Sequence, residues 1–137
     1  MTATGVKTGF TALARSALAA GALALLGGCA TVTGGKLVSG NAPVGQIAIR
    51  NETRNPINAV TISRCGAMSH GLNRLSGQIA PGQGMRWRVD AGCWDIQAAY
   101  GYGNGYDLAN FSSVQVRSGR TWLLRVQGPN GGPRQEM

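Results

Sequence analysis

Between residues 45 and 127 the sequence predicts an all-β fold: a single small antiparallel β-sandwich, or small barrel, of about six to seven strands. Three observations carry this. Apolar residues recur with period two, the period of strands. Turn signals rich in Gly, Pro and Asn separate the runs. No segment of this window has helical periodicity.

The elements follow in order. Ile47 and Ile49 alternate with Ala48 and Arg50, as in a strand with one buried face. Asn55-Pro56 marks a turn, because the residue before proline is pushed out of the helical region. Residues 57–63 are rich in β-branched side chains, with Val60 and Ile62 on one face. Pro81-Gly82-Gln83-Gly84 is a turn signal. The clearest alternation follows it: Met85, Trp87 and Val89 face one way, Arg86 and Arg88 the other. Asp90-Ala91-Gly92 fits a tight hairpin into the next strand, where Trp94, Ile96, Ala98 and Tyr100 share a face. Residues 111–116 and 121–127 are joined by Arg117-Ser118-Gly119-Arg120, a second hairpin signal. The last strand buries Trp122, Leu124 and Val126 and shows Arg125.

The flanks read differently. Lys7 and Arg15 precede an apolar run, residues 17–26, of about the length of a signal-peptide core. A membrane-spanning helix needs about 20 apolar residues, so this run is too short to be a stable anchor. It closes on Leu26-Gly27-Gly28-Cys29, which resembles the lipobox of bacterial lipoproteins, although Gly at both small positions departs from the commonest pattern. That resemblance implies cleavage after residue 28 and a diacylglyceryl group on Cys29. Ala30, rather than Asp, follows the cysteine. In the lipoprotein family this favours delivery to the outer membrane, facing the periplasm. Several acyl chains on one cysteine hold a protein durably, where one chain alone holds it marginally. Residues 29–44, mostly Thr, Gly, Ser, Asn and Pro, read as a lipidated flexible tether, and residues 128–137 as a disordered tail.

Removal of residues 1–28 leaves 109 residues with a formal charge of +6, and ten of the eleven basic side chains are arginine. Arginine favours planar, bidentate contact with phosphate or carboxylate. A lipid-anchored exported protein has no access to nucleic acid, so the expected partners are the membrane itself and an anionic envelope component or protein. Arg86 and Arg88 share a strand face, and Arg120 and Arg125 extend the patch if the last strand pairs nearby. With Cys29 committed to lipid, Cys65 and Cys93 remain as a pair, and export to an oxidising compartment predicts a disulfide.

No catalytic or metal-binding constellation stands out, and no cofactor is expected. His70 is the only histidine and lies in a Gly/Ser/Asn loop without ligand-spaced companions. Asp90, Asp95 and Asp107 could supply a carboxylate pair, but Asp90 falls in a turn and Asp95 reads as a backbone-tying residue. Gly101-Tyr102-Gly103-Asn104-Gly105-Tyr106 is a hairpin loop, with Tyr102 and Tyr106 as candidate contacts to a sugar or protein.

A second resemblance covers about 50 residues of the domain. Asn51-Glu52-Thr53, Ile62-Ser63, Gly71-Leu72-Asn73 with Leu75, Ile79-Ala80-Pro81-Gly82 and Gly92-Cys93-Trp94-Asp95-Ile96 follow in order. The set is similar to small exported bacterial β-sandwich domains, which implies a structural or binding module and carries no catalytic residues. The expected function is therefore a non-enzymatic, lipid-anchored envelope lipoprotein with a basic arginine face. The alternative is a small periplasmic inhibitor or ligand-binding lipoprotein.

Overall fold

A computed structural model describes residues 35–101 and 107–137. Cys29, Tyr102 and Tyr106 lie outside the described residues. The strands are β1 (Val44–Asn51), β2 (Ile57–Arg64), β3 (Gly84–Asp90), β4 (Gly92–Tyr100), β5 (Asp107–Val116), β6 (Thr121–Val126) and β7 (Arg134–Glu136). They form a four-stranded sheet in the order β3-β1-β6-β7 and a three-stranded sheet in the order β2-β4-β5. The sheets pack as a small β-sandwich and do not close into a barrel. No helix of the described residues is long and apolar enough to cross a membrane.

The alternation places the core. Ile47, Ile49, Val89, Leu124 and Val126 from the larger sheet meet Ile57, Val60, Ile62, Trp94, Ile96 and Phe111 from the smaller one. All are essentially without solvent contact, and each such side chain contributes about 1.5–3 kcal/mol on leaving water. Leu37, Leu75, Trp87 and Trp122 pack against this cluster. The Cys65–Cys93 disulfide is formed, with Cα atoms 5.4 Å apart. It closes a loop with a sequence separation of 28, which constrains the unfolded chain by about 3–4 kcal/mol in the chain-entropy account.

Five sequence expectations are corrected. Asp90-Ala91-Gly92 is not a hairpin: β3 belongs to the larger sheet and β4 to the smaller, so the chain crosses between sheets there. The same holds for residues 117–120, which carry the chain from β5 to β6. A short turn between two alternating strands keeps both apolar faces inward in either arrangement, so the local pattern does not separate them. In addition, β1 and β6 pair in parallel, with Gln46 opposite Thr121 and Asn51 opposite Val126.

The fourth and fifth corrections concern the flanks. Residues 35–43 do not hang free: Asp90 N–H donates to Leu37 O at 2.7 Å and Ala91 N–H to Pro43 O at 2.7 Å. Residues 128–137 are ordered by β7, which pairs antiparallel with β6. Gly128 and Gly131 bridge each other to turn the chain back, and Arg117 grips Glu136 at 2.6 Å. The glycines that read as breakers make the turn that delivers a seventh strand.

Candidate anion-binding face

Register determines which arginines share a surface. On the outer face of the larger sheet, Arg88 lies beside Gln46 and Thr121, and Arg86 beside Ala48 and Leu123. Gly84 lies beside Arg50 and Arg125. Arg86, Arg88 and Arg125 therefore share one face, as the sequence anticipates, but β1 stands between their strands and adds Arg50. The sequence reading missed Arg50; its alternation with Ile49 carried the outward signal, yet nothing local showed that β1 occupies the centre.

Small residues make this face hollow. Ala48 and Gly84 floor a depression of about 430 Å³, rimmed by Arg50, Arg86, Met85 and Leu123. A second depression, of about 220 Å³, lies over Gly45 and Gln46 between Arg88 and Arg120. Arg120 thus joins the face at its far end.

Acidic partners are unevenly distributed. Glu52 Oε1 lies 3.4 Å from Arg125 and 4.0 Å from Arg50. Glu136 takes Arg117 and lies 3.7 Å from Arg120. The Arg117 hydrogen bonds hold the Glu136 carboxyl below its ordinary range, with smaller help from the charges of Arg117 and Arg120. Arg86 and Arg88 are exposed and have no acidic partner among the described residues. The outer face of the other sheet contrasts with this one: its rows run Thr61–Gln97–Asn110 and Ala59–Ala99–Leu108, with Asp95 opposite Ser63. The cationic character thus belongs to one side of the sandwich.

Other candidate residues serve the fold. Asp90 is buried and is engaged by Ser39 and Arg64, as discussed below. Asp95 accepts the Ser113 N–H at 2.8 Å, beside the register shift between β4 and β5 that holds Ser113 at φ 55°. Asp107 begins β5 and is exposed. These carboxylates each sit in a separate structural setting. His70 is exposed, and no group of three metal-ligating side chains occurs among the described residues.

The fold and this surface define a small β-sandwich module with one cationic outer face. No family model matches the chain, and no curated protein or solved structure matches it.

Proposed function

We propose that the chain is a non-enzymatic, lipid-anchored lipoprotein of the cell envelope, facing the periplasm from the outer membrane. Its arginine face binds an anionic envelope component. The observation that carries the binding role is the pair Arg86 and Arg88, exposed on one strand face beside the two depressions and without acidic partners among the described residues. Two guanidinium groups two residues apart on a strand stand roughly 7 Å apart, within reach of two anionic groups on one polymer or protein surface. The leader, Cys29 and the formed disulfide support an exported, anchored state.

The test is capture of cell-envelope components by the mature protein and by the double variant Arg86→Glu/Arg88→Glu. Both side chains are exposed, so the melting temperature should change little while capture is lost and, in the unaltered protein, weakens with added salt. Equal capture by both proteins sinks the arginine-face role.

A further inference from the structure

We infer that the loop of residues 65–75, with Met68 and Leu72 at its exposed points, rests on the phospholipid surface into which Cys29 is anchored. This inference rests on the lipoprotein reading above.

Both bases of the loop are bonded to the chain that leads back toward Cys29. At one base, Arg64 Nη2 lies 2.6 Å from Asp90 Oδ2, and Asp90 Oδ1 accepts the Ser39 N–H at 3.0 Å. At the other, Arg74 Nη2 donates to Gly35 O at 2.9 Å. Five residues, 30–34, separate Cys29 from Gly35, an interval that spans at most about 20 Å even when fully extended. The anchor point therefore lies within about 20 Å of Gly35, whose carbonyl is bonded at the base of this loop.

The loop is built to present its apolar side chains. Met68 is 93% exposed and Leu72 58%, more than any other large apolar side chain among the described residues. The base beneath them is fixed. Cys65 is in the disulfide, Asn73 Oδ1 accepts the Val60 N–H at 2.9 Å, and Arg74 N–H donates to Val60 O at 2.7 Å. The two ends of the loop are thus held to β4 and β2. Exposed apolar side chains of this kind suit the boundary between water and acyl chains.

The test uses the mature lipidated protein, purified from membranes and reconstituted into vesicles of phosphatidylethanolamine and phosphatidylglycerol. Peroxide oxidation of Met68, Met85 and Met137 is followed by mass spectrometry of their peptides. In water, exposure alone makes Met68 the fastest of the three, since Met85 is 37% and Met137 47% exposed. Docking reverses the order, with Met68 oxidised several-fold more slowly than the other two. The exposed substitution Leu72→Asp restores rapid Met68 oxidation and leaves Met85 unchanged. Met68 reacting first on unaltered vesicles overturns the docking alone. An N-terminal peptide whose Cys29 carries no acyl group overturns the lipoprotein reading, and the docking with it.

Discussion

Asp90 joins more parts of the molecule than any other side chain described above. Only 2% exposed at the end of β3, it accepts the Ser39 N–H at 3.0 Å, the Ser39 hydroxyl and Arg64 Nη2 at 2.6 Å. Its backbone oxygen accepts the Trp94 indole N–H at 2.8 Å, and the Arg64 guanidinium lies over the Trp94 ring. One residue thus ties both sheets and the incoming segment together. The Ser39 hydroxyl, then the Ser39 N–H, hold its carboxyl below the usual aspartate range, with Arg64 adding to them and burial opposing. The fold therefore favours the charged form. The resulting stabilisation is complete above the unfolded-state pKa of about 3.9 and drains away as pH falls below it. Asp90→Asn should lower the melting temperature at pH 7 and flatten its decline below about pH 4. Glu136, shifted in the same direction, sustains a residual slope. Melting curves of the two proteins that stay parallel from pH 7 to pH 3 would show that Asp90 is not this link.

The polar positions that resemble exported β-sandwich domains also acquire a physical meaning at this scale. Asn51 is fully buried and satisfied on both sides: its amide donates to Asn55 O and Ile79 O, and its oxygen accepts from the Thr53 N–H and hydroxyl. Asn73 accepts from the Val60 and Leu75 N–H groups. These side chains substitute for missing strand neighbours and so hold the architecture together.

Strand existence is a local property and was legible; strand partnership is not local. Residues 85–89 and 93–100 read correctly as strands because a period of two needs only neighbours in sequence. The short strand β7, Arg-Gln-Glu, has no apolar period at all and forms because β6 offers it an open edge. The crossing from β5 to β6 also places a demand on β1. A Cβ at Gly45 would lie 2.5 Å from Arg117 O and from Val116 Cγ1, and 2.9 Å from Arg120 O. Backbone on two sides leaves no room to yield. Gly45→Ala should cost about 2–3 kcal/mol. Gly77→Ala, where nothing lies within 4 Å, should stay within about 0.5 kcal/mol of the unaltered protein. Urea denaturation of the pair checks the contrast, and equal midpoints would contradict the close approach.

For the molecule as a whole, the order β3-β1-β6-β7 decides both stability and surface. The C-terminal residues shield two edges at once: β7 covers β6, and Arg134 donates to Ser112 O on β5 at 2.7 Å. Gly131 lies so close to β5 that an added Cβ would sit 2.8 Å from Asn110 O. Truncation after Gln127, harmless if residues 128–137 were a disordered tail, should instead lower the melting temperature and expose strand edges that self-associate. Size-exclusion chromatography and thermal melts test both effects; a stable monomer would refute the role assigned to β7.

Amino-acid order alone determined the two-faced strands and the outward Arg86 and Arg88, because alternation is read within a few positions. Tertiary structure alone decided that β1 lies between β3 and β6, that Arg50 joins the arginine face, and that residues 35–43 and 128–137 lie on the sandwich. Those outcomes depend on which distant strands share hydrogen bonds, and backbone N–H and C=O groups carry no side-chain label to announce their partners.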